Sequence, residues 1–355
     1  MLVHEAQQAA EAVERAGGSL RMSIAMCTYN GAGFLRHQLN SIEKQTVAPY
    51  ELVVCDDGSS DETVSILDEF SERSDFPVSI IRNEVNLRSS ANFAKAMGLC
   101  RGHIVVLADQ DDFWRSDKLL RISEQFNAAP ELDLVFSDAD LIDSVGEPLQ
   151  QRLWDKIGFS VKLRRKVTQG GLFEVLMKQY VMTGATMAFR CEWRERILPI
   201  PPGWIHDAWI ALTVAAMNGS IALLSEPLIS YRLHDRQQIG VQRRTFWQQY
   251  HFGRSICPED YETQSHQYRL AAQRLMELGG CCVQTFAQIE EKVTHLEARS
   301  RIRRLGFRGL AIAYREFVSG RYGRCSQGWK AFLMDIIIMI VGQRPLQNVN
   351  CRIAG

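Results

Sequence analysis

The chain has 355 residues, 46% hydrophobic and 23% charged, with 25 Gly and 10 Pro, the proportions of an ordinary folded protein rather than a collagen-like, disordered or disulfide-scaffold one. Lys+Arg and Asp+Glu both number 41, so no global field recruits nucleic acid. The nine cysteines form no C-x-x-C pair and read as buried free thiols in a reducing compartment.

Residues 1–20 mix acids, glutamines and alanines without an apolar core of signal-peptide length, which predicts a short amphipathic leader helix, no export and a cytoplasmic protein. From Arg21 onward, short β-branched apolar runs alternate with longer helical patterns, the signature of βαβ units and a mainly parallel sheet. Strands are predicted at Met22–Thr28, Glu51–Cys55, Val78–Arg82, His103–Ala108 and Leu132–Ser137. Helices are predicted at Gly33–Lys44, Asp61–Arg73, Ser89–Cys100 and Ser116–Ala128. Ser59-Ser60-Asp61-Glu62 supplies capping residues before the periodic Val64, Ile66, Leu67 and Phe70.

Beyond Asp143 the pattern loosens into a strand at Ala185–Arg190, a Pro-rich turn at Pro199–Gly203, a helix at Asp207–Asn218, and strands Ile221–Leu224 and Leu228–Tyr231. After about Gly240 the composition shifts to Arg, Gln and aromatics in long helical patterns. The expected organisation is therefore a leader at 1–20, an α/β domain at 21–240 with halves at 21–130 and 131–240, and a helical extension at 241–355. Arg299 to Lys330 holds nine Arg/Lys against one Glu, locally +8. The apolar stretch Ala331–Gly342 is 12 residues long and contains Asp335, too short for the roughly 20 that span a bilayer. A basic stretch of this kind is usually a solvated helical face, and beside apolar residues it also reads as an interfacial segment meeting anionic lipid.

In an open parallel sheet, ligands bind outside the carboxyl ends of the strands. Four such ends are polar: Cys27-Thr28-Tyr29-Asn30-Gly31, Asp56-Asp57-Gly58-Ser59-Ser60-Asp61, Arg82-Asn83 with Asn86 nearby, and Asp109-Gln110-Asp111-Asp112. Taken singly, Asp-Asp-Gly-Ser and Asn-Gly are common turns. Asp109-x-Asp111 differs because it follows the apolar run Ile104–Ala108, where several carboxylates repel unless a cation neutralises them. A short acidic pair suits a hard divalent ion shared with phosphate oxygens, so a metal–diphosphate site is inferred. Gly31-Ala32-Gly33 is not a dinucleotide fingerprint, since Arg36 occupies the third glycine position, and no P-loop is present.

These motifs together resemble glycosyltransferase family 2, of the GT-A fold: Cys27-Thr28-Tyr29-Asn30-Gly31 after the first strand, Val54-Cys55-Asp56-Asp57-Gly58-Ser59-Ser60-Asp61-Glu62-Thr63 after the second, and Ala108-Asp109-Gln110-Asp111-Asp112 with Trp114, Asp117 and Lys118 after the fourth. Within that family they resemble the rhamnosyltransferase-like branch, over about Ser23 to Gly240. The resemblance implies a Rossmann-like mixed sheet flanked by helices. It also implies that Thr28, Tyr29, Asn30, Asp57 and Asp109 line the nucleotide pocket, and that Asp111 ligates Mg²⁺ or Mn²⁺ on the donor diphosphate. Asp112, Trp114 and Lys118 belong to the branch's extended motif in support roles, with Asp112, Trp114, Gly184 and Trp209 placed on the sugar and acceptor side. Asp207, in Ile205-His206-Asp207-Ala208-Trp209, matches the family's acceptor-site acid and general base, although position alone reads as a helix N-cap. His234, in Tyr231-Arg232-Leu233-His234, matches a histidine reaching the metal, while Asp235-Arg236 follow where a small residue and asparagines are usual.

The function implied is inverting, metal-dependent transfer of a sugar, dTDP-L-rhamnose being the donor suggested and another such as a UDP-sugar the alternative. The acceptor would be a hydroxyl of a cell-surface glycan or lipid-linked oligosaccharide, reached at the inner face of the plasma membrane. A sugar-1-phosphate nucleotidyltransferase would need a Gly-rich basic loop near the first strand, and Thr28–Gly33 has none. A non-catalytic nucleotide-sugar-binding protein would keep the pocket without needing Asp207.

Overall fold

The computed structural model describes residues 20–234 and 246–342. The predicted leader, apart from Leu20, and Asp235 lie outside the described residues. The chain divides into two compact units that interleave along the sequence. One comprises residues up to Leu153, Met182–Ile200 and the segment from Ser220; the other comprises Trp154–Val181, Pro201–Gly219 and the helices from residue 246 onward. Two segments before residue 240 cluster with the C-terminal helices.

The first unit is built on β1 (Met22–Thr28), α1 (Ala32–Glu43), β2 (Glu51–Asp56), α2 (Thr63–Arg73), β3 (Val78–Arg82), α3 (Arg88–Leu99), β4 (Ile104–Ala108), β5 (Phe113–Trp114), α4 (Lys118–Ala128), β6 (Leu132–Ile142), β7 (Pro148–Arg152), β8 (Met187–Arg190) and β9 (Ser220–Arg232). The strands form one sheet in the order β3-β2-β1-β4-β8-β6-β9-β5, with β7 paired to β6. β1 pairs in parallel with β2 and β4, and β2 with β3; β8 runs antiparallel between β4 and β6, and β6 and β9 are parallel. The expected mainly parallel sheet flanked by helices is thus present. β2 and β4 are buried throughout and β1 nearly so, as continuous apolar runs in the middle of a covered parallel sheet must be.

Several expected boundaries move for identifiable reasons. The strands expected at Ile221–Leu224 and Leu228–Tyr231 are one strand, because a register shift opposite Asp138 accommodates Pro227 within β9. β6 continues past Ser137 to Ile142, and Gly184–Thr186 forms a 3₁₀ turn before β8. α2 starts at Thr63 without a side-chain cap. Asp61 instead accepts from the Thr63 amide at 3.0 Å and from the Ala32 amide at 3.1 Å, tying α2 to α1.

The opposite end of the sheet is pinned by Glu51, which accepts from Ser23 Oγ (2.7 Å), the Arg101 amide (2.6 Å) and Arg101 Nη2 (2.7 Å). Gly102 follows because an added Cβ would sit 2.7 Å from the Arg21 carbonyl and 2.8 Å from the Ser23 amide. Burial pushes the Glu51 carboxyl up, but the hydrogen bonds from Ser23 and Arg101 outweigh it and hold the group below its usual range. A depressed carboxyl contributes stability above its unfolded pKa of about 4.3 and loses that contribution as pH falls through the folded value. Glu51→Gln is therefore expected to cost about 2 kcal/mol near pH 7. The gap in melting temperature between variant and wild type should close as the pH drops below about 4; a gap that persists in acid would assign the loss to packing.

The second unit contains α5 (Val161–Thr168), α6 (Leu172–Leu176), α7 (His206–Ala216), α8 (Phe246–Ser255), α9 (Pro258–Leu278), α10 (Val283–Leu305), α11 (Leu310–Val318), α12 (Arg321–Cys325) and α13 (Trp329–Val341). α9 and α10, joined through Gly279–Cys282, pack along each other. Asp335, the acid inside the apolar C-terminal stretch, is fully buried and accepts from Arg299 Nε (2.8 Å), Arg303 Nη2 (2.9 Å) and Tyr322 Oη (2.7 Å). Buried Lys292 donates to the Met177 carbonyl at 3.0 Å and the Cys325 carbonyl at 2.8 Å. That bond pair ties the chain at Met177 to the C-terminal helices. Every cysteine among the described residues is free.

Candidate active site

The polar strand ends of the first unit are laced to one another. At the end of β1, Thr28 Oγ1 donates to Asp56 Oδ1 at 2.8 Å, and Asp56 also accepts from the Ser59 amide at 2.9 Å. Asn30, with φ of 46°, sits in the left-handed region that asparagine tolerates better than most residues. Its amide donates to Ser59 Oγ (2.9 Å), and its Oδ1 accepts from the Ser60 amide (2.8 Å). Gln110 clasps the backbone of Tyr29, accepting from its amide at 2.9 Å and donating to its carbonyl at 3.1 Å. The Tyr29 side chain is left 47% exposed.

Asp57 turns inward from β2. Its Oδ1 accepts from the Leu87 amide (2.7 Å) and Asn83 Nδ2 (2.9 Å), and its Oδ2 from the Arg88 amide (2.8 Å). A carboxylate at the start of α3 satisfies otherwise orphaned amides and complements the helix dipole. Asp57, expected at the base or ribose, therefore also anchors the loop that ends β3.

After β4 the acids take unlike environments. Asp112 is completely buried; its Oδ1 accepts from the Arg232 amide at 3.1 Å, and among the described residues its Oδ2 finds no hydrogen-bond partner. Burial raises the Asp112 carboxyl well above its ordinary range, with the charges of Asp111 and Asp109 adding to the shift. Burial likewise lowers Lys118 to about 7, against the opposing pull of Asp112. The Lys118 ammonium lies 3.7 Å from the Trp114 ring centroid and donates to the Ala185 carbonyl at 2.8 Å, which locks the Gly184–Thr186 turn to this loop. Asp112, Trp114 and Lys118 thus form an internal support. The sugar-side contact expected of Asp112 and Trp114 is corrected on this ground: neither has surface to offer, as Asp112 is fully buried and Trp114 almost so.

Asp111 faces the other way. Its Oδ2 lies 2.7 Å from His234 Nε2, both side chains retaining a little exposure. The His234 ring packs on Phe34 at 4.7 Å and 30°, and the Arg232 guanidinium lies 5.1 Å from the same Phe34 ring. Arg232 Nε also donates to the Asp111 carbonyl at 2.8 Å, so the end of β9 and the Asp109–Asp112 loop are fastened at both backbone and side chain. Sequence reading assigned no role to Arg232, Phe34 or Gln110. The one local signal for them was a basic residue two positions before His234.

Among the described residues no three His, Cys, Asp or Glu converge on a metal cage. One carboxylate oxygen and one imidazole nitrogen held 2.7 Å apart do fit a divalent ion that draws its remaining ligands from water and phosphate, since Mg²⁺ uses few protein oxygens and Mn²⁺ accepts carboxylate and imidazole.

Asp207 and Trp209 belong to the second unit. Asp207 occupies the first turn of α7, whose N-cap is Ile205, and its Oδ1 accepts from the Ala208 amide at 2.8 Å. The N-cap role that its position in the sequence suggested is therefore not the one it fills. Trp209 has no accessible surface and packs on Trp204 at 5.8 Å. Its expected place on the acceptor surface is likewise corrected, and it acts as a core side chain of α7.

The sequence profile described as glycosyl transferase family 2 matches residues 23–198. An uncharacterized glycosyltransferase of Nostoc sp. is 27% identical over 219 residues, covering 61% of this chain and 65% of the relative. An uncharacterized protein of Mycobacterium tuberculosis is 26% identical over 238 residues, covering 64% of each. The chain thus matches less than two thirds of the length of these relatives. Over a shorter stretch of 98 residues, 28% of this chain and 38% of the relative, it is 35% identical to a UDP-Glc:alpha-D-GlcNAc-diphosphoundecaprenol beta-1,3-glucosyltransferase of Escherichia coli. In fold it is similar to S. aureus TarS 1-349 in complex with UDP-GlcNAc, with a TM-score of 0.56, 17% identity, and coverage of 93% of this chain and 95% of that one.

Proposed function

Because the chain carries a glycosyl transferase family 2 domain of the GT-A fold at residues 23–198, we propose that it transfers a sugar from a nucleoside diphosphate donor to a hydroxyl of a cell-surface glycan or lipid-linked oligosaccharide, with inversion at the anomeric carbon. The observation that carries this reading is the Asp111–His234 pair at the mouth of β4, 2.7 Å apart and beside Asp109. Asp111 and His234 are the residues that would hold Mg²⁺ or Mn²⁺, and the ion when bound would offset charge growing on the departing diphosphate.

The chain's own residues supply the rest. The exposed Tyr29 ring offers a face for the nucleobase, with Thr28, Asn30, Asp57 and Asp109 around the nucleoside. Gly184 lies in the turn assigned to the sugar and acceptor side. Asp207 takes the proton of the acceptor hydroxyl as its oxygen bonds to the anomeric carbon and the bond to the diphosphate breaks on the opposite face. No covalent sugar–enzyme intermediate forms. The resemblance to the rhamnosyltransferase-like branch suggests dTDP-L-rhamnose as donor. A UDP-sugar is the second reading, favoured by the donor named for the E. coli relative. In either case the C-terminal region would keep the enzyme at the inner face of the plasma membrane.

Incubation with a panel of nucleotide sugars and an acceptor extract tests the reading. The expected result is release of nucleoside diphosphate from one donor, abolished by EDTA and restored by Mg²⁺ or Mn²⁺. Release of pyrophosphate from a sugar 1-phosphate and a nucleoside triphosphate would indicate a nucleotidyltransferase instead. Binding of a nucleotide sugar without release would indicate a non-catalytic receptor.

A further inference from the structure

The basic segment near the C-terminus separates into two classes once its partners are visible. Arg299 and Arg303 are engaged by buried Asp335, Arg304 by Glu259 and Glu262, Arg321 by Glu316, and Arg324 by Glu291. These five brace the helices of the second unit. Arg301, Arg308, Arg315 and Lys330 are all exposed, and among the described residues no ion pair involves them. Between residues 306 and 334 the sole acid is Glu316, which is buried.

Exposed apolar side chains lie in the same stretch of the chain. Leu310, Tyr314, Phe317 and Val318 recur at i, i+4, i+7 and i+8 along one stripe of α11, and all four are exposed. Trp329, Leu333 and Ile340 form a similar exposed stripe on α13. Phe317 stacks on Phe332 of α13 at 4.4 Å, and Phe307, just before α11, is 66% exposed. A helix facing only water would carry polar residues along such stripes.

We propose that this surface of α11 and α13 docks on an anionic lipid bilayer, with Phe307, Tyr314 and Trp329 entering the headgroup boundary while Arg301, Arg308, Arg315 and Lys330 meet lipid phosphates. The inference deepens the membrane-side placement proposed above and does not depend on which donor is used. Charge selects the occupant. A second copy seated through the same face would set bases against bases, and residues 343–355 contain Arg344 and Arg352 but no acid. No described helix is long and apolar enough to cross a membrane, so the contact is with the bilayer surface.

Co-sedimentation of the full chain with vesicles of phosphatidylcholine alone, or mixed with phosphatidylglycerol, tests this. Binding is expected with the mixed vesicles only and should weaken as salt rises. The variant R308Q/R315Q/K330Q should bind about a hundredfold more weakly, at about fivefold per base, and Trp329→Ser should also lose affinity. Nucleoside diphosphate release without vesicles should be unchanged in the triple variant, which separates failure at this surface from failure of the donor site. Equal binding to both vesicle types would overturn the proposal. So would absent vesicle binding together with self-association that Trp329→Ser abolishes, which would make the face an interface between copies.

Discussion

Asp207→Asn is expected to lower sugar transfer by about 10² to 10⁴ while donor affinity and melting temperature stay near wild type. Loss of proton acceptance at a general base has that magnitude. The change is close to isosteric, and the N-cap of α7 is Ile205 rather than Asp207. The bond from the Ala208 amide to Asp207 Oδ1, at 2.8 Å, can be accepted equally by an asparagine oxygen. The favourable meeting of a negative charge with the first turn is lost, about 0.3–1 kcal/mol. Turnover and thermal melting of one variant therefore separate catalysis from fold. If more than about a tenth of the activity survives, against the expected loss, the base must be sought elsewhere. Asp138, Asp140 and Asp235 are the remaining candidates. Asp138 accepts from the Ala139 amide at 2.8 Å and Asp140 pairs with Arg152 at 3.0 Å, while Asp235 lies outside the described residues.

Asp111→Asn should reduce turnover by about 10³, the several kcal/mol that charge stabilisation by a bound ion supplies, and should remove the metal dependence of donor binding. The carboxylate is the stronger half of the pair with His234, so His234→Ala is expected to weaken metal affinity by a smaller factor, about 10 to 100. Calorimetric titration of metal in the presence of nucleoside diphosphate reads both variants without requiring an acceptor. Asp112→Asn provides the contrast. Its carboxyl is buried, raised in pKa and bonded to the Arg232 amide, so it should leave metal affinity close to wild type. Full activity in EDTA-treated wild-type protein would remove the metal from the reaction and return Asp111 to a hydrogen-bonding role toward His234.

The sequence carried the central strands, the helices between them and the polar strand ends, because each rests on local chemistry. Apolar β-branched runs mark buried parallel strands, turn residues mark their ends, and parallel strands gather those ends on one side of a sheet. Local chemistry does not reveal which way a particular acid turns. Asp56 and Asp57 are neighbours, yet one accepts from Thr28 and the other from the amides of Leu87 and Arg88. Asp111 and Asp112 are neighbours, yet one meets His234 and the other is buried beside Arg232. Each outcome depends on a partner many residues away that only folding delivers. The same holds for the basic C-terminal segment, which in sequence looks uniformly available. Arg299 and Arg303 are withdrawn from the surface by Asp335, and Lys292 joins the Met177 carbonyl to the C-terminal helices. Burying a charge is unfavourable without a partner in place, so the tertiary contacts decide which charges remain at the surface, and composition alone does not.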